Sequence, residues 1–219
     1  MKNNIQFSLI IFILFAFSCK ETNNSKITES IALPYYKDAY FTPVWLNKNS
    51  VELANFHKIP NFELISHRGE IITEKTVEGK IYVTNFFFTT CPGICPKMTS
   101  NLSILQDEFK NDTTLLLLSH SVTPDKDSVA VLAKFAQKNN VSANQWHLLT
   151  GKRQQIYNLG RLFYFVEEDL GMEKDPDDFL HTENFVLIDK NRHIRGIYNG
   201  LNTTAVNQLI ADIYTLKTE

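Results

Sequence analysis

The sequence predicts an α/β domain in which a central mixed sheet is flanked by helices and begins with an N-terminal β-hairpin. Three observations lead to this fold class. The runs 81–88 and 114–118 are apolar or β-branched with little polar alternation, which is typical of strands buried on both faces of a sheet. Segments with apolar residues at helical spacing follow both runs. The last two predicted strands, 184–189 and 194–198, are joined by a short turn and therefore form an antiparallel edge.

The elements follow one another regularly from Phe62 onward. A hairpin is predicted from 62–65 and 71–73, because residues 67–70 (HRGE) between them have the composition of a turn. Strands that then alternate with helices favour a sheet with a parallel core. The remaining predicted strands are 81–88, 114–118, 146–149, 184–189 and 194–198, and the predicted helices are 96–109, 127–139, 153–163 and 203–216.

The amino terminus has the composition of an export signal. Residues 7–17 are apolar apart from Ser8, and this run is too short for a bilayer, which needs about 20 residues. Residues 16–19 (AFSC) are similar to a bacterial lipobox, although Ala16 stands where that pattern prefers Leu. We therefore expect 1–18 to be a lipoprotein-type signal peptide; the alternatives are plain secretion or an uncleaved anchor, and a cytosolic protein.

This interpretation predicts where the chain lies and how it divides. Cys19 would carry acyl chains and anchor the protein to a membrane of the bacterial cell envelope, outside the cytoplasm. Residues 19–32 are polar and are expected to be a tether. Residues 33–60 are rich in tyrosine, phenylalanine and tryptophan and are expected to pack on the domain as an extension. The domain itself is expected to span 61–217.

Composition and charge exclude some partners. The chain has 219 residues, is 43% hydrophobic and has a formal net charge of −2. That is enough apolar material for a real core in one domain. Both signs of charge are spread along the chain, and no basic stripe is present, so we expect no nucleic-acid partner.

Two cysteines carry the strongest chemical signal. Cys91 and Cys95 form a CxxxC pair between the strand 81–88 and the helix 96–109, which is the thioredoxin-like layout. The amino terminus of a helix stabilises negative charge, so it lowers a thiol pKa and favours the thiolate. A thiolate is both a redox nucleophile and a ligand for soft metals. The pattern is therefore compatible with three hypotheses for this pair: a redox-active dithiol, a metal site or a structural disulfide.

Three segments in this order resemble the Sco (SenC-type) family of copper-binding proteins. They are GKIYVTNFFFTTCPGICPKM, TLLLLSHSVTPDKDS and HTENFVLIDKNRHIRGIYNG. The resemblance covers about residues 60–215, and its TxCPxxCP element is specific, since ordinary thioredoxins carry CxxC. The resemblance implies a thioredoxin-like fold and a role in assembling the dinuclear copper site of cytochrome c oxidase.

The resemblance also implies a site and its partners. By position in the family pattern, copper would be bound by Cys91, Cys95 and His181. Thiolates select Cu(I), and imidazole suits copper in either oxidation state. The implied partners are the copper-site subunit of cytochrome c oxidase and an upstream thiol reductase, because a Cys91–Cys95 disulfide could not bind the metal in this way. The protein would act as a metallochaperone rather than as an enzyme with turnover, with thiol–disulfide reductase activity as an addition.

The chain departs from the family pattern at one position. Many members carry Asp in a VDP tripeptide after the strand, and Thr123 stands at that position here. Asp125 and Asp127 are the nearby carboxylates that could compensate.

The competing function is a thiol–disulfide oxidoreductase acting on exported proteins, and the third class is a non-catalytic lipoprotein with a structural disulfide. Thioredoxins place a proline opposite the cysteines just before the late strand, whereas residues 181–184 here are HTEN. The absence of that proline favours the metal-binding function over the oxidoreductase. Among the other histidines, we expect His57, His67 and His193 at the surface. His120 is expected to be a hydrogen-bonded core residue or an accessory group of the site.

Overall fold

The computed structural model describes residues 32–167, 180 and 182–219, all within one unit of the chain, Ile31–Glu219. The predicted signal peptide, Cys19 and His181 lie outside the described residues. The described elements are α1 (Val51–Ala54), β1 (Glu63–Ser66), β2 (Ile71–Thr73), β3 (Ile81–Phe87), α2 (Cys95–Glu108), β4 (Leu115–Ser121), α3 (Val129–Lys138), β5 (Trp146–Thr150), α4 (Arg153–Asn158), a π-helical turn (Leu159–Phe163), β6 (Asn184–Ile188), β7 (Ile194–Asn199) and α5 (Thr203–Thr218).

A mixed sheet organises the described part of the chain. Its strand order is β2-β1-β5-β4-β3-β6-β7. Strands β3, β4 and β5 are parallel, while β6 runs antiparallel to β3 and to β7. The hairpin β1–β2 joins the other side of the sheet, because β1 is antiparallel to β5. The predicted fold class, a central mixed sheet with an N-terminal hairpin, is confirmed.

The two long apolar runs became interior strands. Every residue of β3 and of β4 is buried. Successive side chains of a strand point to opposite faces, so Val83 and Phe87 pack in one apolar cluster and Tyr82 and Phe86 in another. Helices α2, α3 and α5 supply the first cluster, and α4 with the π-helical turn supplies the second. The sheet is therefore covered on both faces.

The helix predicted for 153–163 is not α-helical throughout. The α-helix ends at Asn158 and a π-helical turn follows, in which the N–H of Tyr164 donates to the carbonyl of Leu159 at 2.8 Å. Gly160 lies in this turn at a close approach, because a Cβ there would be 2.8 Å from Leu180 Cδ2. A glycine at this point allows the widened turn to pack directly on the core.

The segment before β1 contacts the far edge of the sheet. The backbone of Tyr35 pairs with Val44, and the N–H of Tyr36 donates to the carbonyl of Ile194 at 3.2 Å. These bonds cover part of the exposed edge of β7, which would otherwise present unpaired backbone groups. Within the described residues, no helix is both long enough and apolar enough to cross a membrane.

A buried cation joins this segment to the domain. The Arg195 guanidinium lies 3.3 Å from a carboxylate oxygen of Asp189 and 2.7 Å from one of Glu219. It also donates to the carbonyl of Leu33 and stacks 4.0 Å from the Tyr35 ring centroid. A buried charge is tolerated only when it is paired and hydrogen-bonded, so these contacts hold the N-terminal segment, the β6–β7 turn and the end of α5 together.

Candidate metal and thiol site

The cysteine pair lies where β3 meets α2. After β3 ends at Phe87, a turn closes with the N–H of Cys91 donating to the carbonyl of Phe88 at 3.3 Å. Helix α2 begins at Cys95, and a proline occupies its first turn, where a missing N–H costs no helical hydrogen bond. The predicted placement of Cys91 in the loop and Cys95 at the helix start is therefore confirmed.

The two thiols differ in exposure. Both are free, with Cys91 half-buried and Cys95 only 5% exposed. Cys95 belongs to the apolar cluster under α2, together with Met98 and Leu102. Met98 is therefore a core residue. The geometry presents one thiol to incoming molecules and keeps the other behind it.

The environment shifts the two thiols in opposite directions. Burial by itself would raise the pKa of the Cys91 thiol, but hydrogen bonds from the Cys95 side chain and from the backbone of Cys95, Gly93 and Ile94 outweigh it and lower that pKa. Burial raises the pKa of the Cys95 thiol, and the contact with Cys91 raises it further. Cys91 is thus the thiol that ionises first.

A carboxylate lies on the other side of the cysteine turn. Asp127 is 1% exposed and accepts hydrogen bonds from Thr89, Ser121 and Thr123. Asp125 is exposed, so of the two carboxylates that could compensate for Thr123 only Asp127 reaches the cysteine loop. Thr123 itself is one of its hydrogen-bond donors. The sequence shows no signal for Thr89, whose role depends on a partner 38 residues away.

The third predicted ligand, His181, lies outside the described residues, so its place in the site stays a prediction. The strand that follows it, β6, is antiparallel to β3, with Thr84 paired to Val186. Strand β6 begins at Asn184. Because β6 runs antiparallel to β3, this start lies at the end of the sheet where β3 leads into the cysteine turn. In the described ranges, no group of three His, Cys, Asp or Glu side chains could hold a metal ion.

The other histidines are structural, and two of them contradict the expectation of surface positions. His67 and His193 are only 6% and 7% exposed, and His57 is half-buried. The ring Nδ1 of His193 donates to the carbonyl of His57 at 2.8 Å, and the N-terminal segment covers it. His120 is a buried hydrogen-bonded residue, with Nδ1 2.9 Å from Thr84 Oγ1.

The donor set at this edge suits a soft metal. Two adjacent cysteines, one of which has a lowered pKa, supply the thiolates that Cu(I) prefers. Since the pair is also placed at a helix start behind a central strand, the fold and the site define a thioredoxin-like protein with a paired-cysteine centre.

The family can be stated more closely. The model of the SCO1/SenC family matches residues 51–217, and the chain belongs to this family. A similar curated protein is the SCO1 protein homolog of Bacillus subtilis, which is 26% identical over 166 residues, covering 74% of this chain and 84% of that protein.

Solved structures agree with this assignment. BsSco, a Sco family member among the cytochrome c oxidase assembly proteins in which a disulfide switch has been identified, is 25% identical with a TM-score of 0.62, covering 74% of this chain and 94% of that chain. The SCO1/SenC family lipoprotein of Bacillus anthracis is 26% identical with a TM-score of 0.62, covering 78% and 99%. Arabidopsis thaliana ScoI, solved with copper bound, shares the fold at 23% identity with a TM-score of 0.55, covering 71% and 97%.

Proposed function

We propose that this protein is an exported copper metallochaperone that supplies the copper site of cytochrome c oxidase. The observation that carries the proposal is the pair of free, adjacent thiols at the start of α2 in a chain of the SCO1/SenC family. Support comes from relatives, because BsSco belongs to a family of cytochrome c oxidase assembly proteins and the Arabidopsis ScoI structure holds copper.

Copper would be cargo held by Cys91, Cys95 and His181. The half-buried Cys91 is the thiol that an incoming or outgoing copper ion can reach, while the buried Cys95 supplies a second thiolate when the metal displaces its proton. Two thiolates and one imidazole form a low-coordinate set that suits Cu(I), whereas Zn(II) usually takes four ligands. Exposure of only one thiol favours transfer by ligand exchange through Cys91.

Loading requires the dithiol. A Cys91–Cys95 disulfide has no thiolate to offer, so an exported protein of this kind depends on an upstream thiol reductase in an oxidising compartment. The disulfide switch of BsSco supports a redox-active pair here. The same centre would then have two states. The oxidised disulfide would hold no copper, and the reduced dithiol would be able to bind it.

The proposal places the domain at a membrane surface. The AFSC sequence at 16–19 supports lipidation at Cys19, and a similar Bacillus anthracis protein is a lipoprotein. Residues 1–18 would be removed, 19–32 would be the tether, and 33–60 would be an extension on the domain at 61–217.

A copper titration tests the three-ligand site. The reduced chain from Lys20 to Glu219 would be titrated anaerobically with Cu(I) against a competing chelator. We expect one copper per chain, with an affinity at least about tenfold lower in Cys95→Ser and in His181→Ala. His193→Gln is the matched control, because His193 follows β6 at the opposite edge of the sheet and should leave the affinity unchanged. Weak Cu(I) binding whose affinity is the same in wild type and in His181→Ala would overturn the proposal.

The second candidate function is thiol–disulfide exchange on exported proteins. It is favoured by the asymmetry of the pair, since a half-buried thiol of lowered pKa next to a buried thiol of raised pKa is the arrangement of an attacking and a resolving cysteine. The two functions differ in His181. Reduction of a disulfide substrate should survive His181→Ala, whereas copper binding should not.

A further inference from the structure

Asp127 makes a complete set of hydrogen bonds beneath the cysteine turn. Its Oδ1 accepts from the hydroxyl of Thr89 at 2.5 Å. Its Oδ2 accepts from the Thr89 backbone N–H at 3.2 Å, from Ser121 Oγ at 2.6 Å and from Thr123 Oγ1 at 3.1 Å. The carboxylate is almost fully buried, so it cannot exchange these donors for water without loss. It links the end of β4 and the start of α3 to the loop that leaves β3.

Thr89 is an interior residue of the turn that delivers Cys91. The turn runs from Phe88 to Cys91 and is closed by the Cys91 N–H and the Phe88 carbonyl, so Thr89 and Thr90 are its central residues. Asp127 contacts Thr89 through both the backbone and the side chain. Two bonds to one turn residue fix its position and its orientation together.

Both thiols are arranged around this turn. Cys91 ends it, and the backbone of Phe88, where it begins, is a hydrogen-bonding neighbour of the Cys95 thiol. The backbone of Gly93 and Ile94, on the helix side of the pair, lowers the pKa of the Cys91 thiol through hydrogen bonding. A shift of the turn therefore changes how the two sulfur atoms face each other, although Asp127 touches neither of them.

We propose that Asp127 is a positioning residue which, through Thr89, fixes the turn that carries Cys91 and so sets the effective concentration of the two thiols toward each other. The inference rests on the proposed function in that it takes the Cys91–Cys95 pair as the working centre.

Thiol–disulfide equilibrium measures this effective concentration directly. In a glutathione buffer, one protein thiolate attacks oxidised glutathione and releases one reduced glutathione, leaving a mixed disulfide. The second protein thiolate then attacks that mixed disulfide and releases the second reduced glutathione. The protein dithiol is oxidised to a disulfide, one oxidised glutathione becomes two reduced molecules, and the equilibrium constant has units of concentration.

Thr89→Val and Asp127→Asn are the informative variants. The first removes one hydroxyl donor and keeps the shape of the side chain, and the second replaces one acceptor oxygen by a donor facing other donors. We expect the equilibrium constant for disulfide closure to fall about tenfold in both, which is about 30 mV toward a less negative potential. Thr89→Ser retains the hydroxyl and should restore the wild-type constant, and Asp125→Asn makes the same charge change on an exposed side chain and should leave it unchanged.

The assay contains no copper, so its failure is separate from a failure of copper binding. Circular dichroism and thermal melting establish that each variant is folded before its potential is measured. If Asp127→Asn does not fold, Thr89→Val decides. A constant within about twofold of wild type in folded Thr89→Val, or an equal change in Thr89→Ser and Thr89→Val, would overturn the inference.

Discussion

Burial of His120 predicts a specific loss of stability in acid. The ring is fully buried on β4, and its Nδ1 lies 2.9 Å from Thr84 Oγ1. Because that hydroxyl already donates to the carbonyl of Leu118 at 3.0 Å, it accepts from the ring, which places the proton on Nδ1. The other ring nitrogen, Nε2, has no hydrogen-bond partner among the residues that the structure describes, so a second proton there would be buried without compensation.

The pKa of His120 gives the size of the free-energy cost of protonating this buried ring. Burial lowers the pKa of His120 from 6.5 to about 4, although the backbone carbonyls of Asn85 and Leu118 oppose the change. Below pH 6.5 the unfolded chain binds a proton that the folded chain does not, so stability is lost as the pH falls from 6.5 toward 4. The full effect is about 3 kcal/mol, of which about 2 kcal/mol is lost between about pH 7.5 and pH 5.

Urea unfolding at about pH 7.5 and about pH 5 measures this loss of stability. The intended variant is His120→Phe, which keeps a ring against Phe86, 4.9 Å away, and removes the titratable group. Its stability should fall by about 2 kcal/mol less than that of wild type over the same pH change. Other buried histidines titrate equally in both proteins and cancel in the difference. Val206→Ala, which changes the apolar cluster on the other face of the sheet, is the control and should keep the wild-type pH dependence. Equal losses in wild type and His120→Phe would refute the reasoning.

Two further predictions concern the core and the thiols. Ser119→Ala should lower the free energy of unfolding in urea by roughly 2–4 kcal/mol. The Ser119 hydroxyl donates to Asn85 Oδ1 at 2.6 Å and accepts from Trp146 Nε1 at 2.8 Å, so both buried groups would lose their partner. A loss below about 0.5 kcal/mol would contradict this prediction. In the reduced protein, iodoacetamide at neutral pH should alkylate Cys91 before Cys95, because Cys91 is more exposed and its pKa is lowered while that of Cys95 is raised. Peptide mass spectrometry reads the order, and earlier modification of Cys95 would be inconsistent with this asymmetry.

The elements of the sheet could be predicted because their signals are local. The runs that became β3 and β4 are apolar on both faces, and a fully buried strand shows this pattern in sequence. The π-helical turn at 159–163 was not predicted, because it depends on what Gly160 packs against rather than on the spacing of apolar residues.

The candidate site was predictable only where its residues are close in sequence. Cys91 and Cys95 are four residues apart, so a strand that leads into a helix brings them together whatever the rest of the chain does. Asp127 and Thr89 are 38 residues apart and meet because β3 and β4 are neighbours whose carboxyl ends lie at one edge. His193 was wrongly expected at the surface, since its turn is exposed only until residues 35–57 pack over it.

The sequence by itself determined the family, the cysteine centre and the order of strands and helices, because these are written in short motifs and in local apolar periodicity. The tertiary structure decided which thiol is exposed, which carboxylate supports the turn that carries it, and which histidines are buried. The physical reason is that burial and hydrogen bonding are properties of surroundings, and at Cys95, Asp127 and His120 those surroundings come from distant parts of the chain.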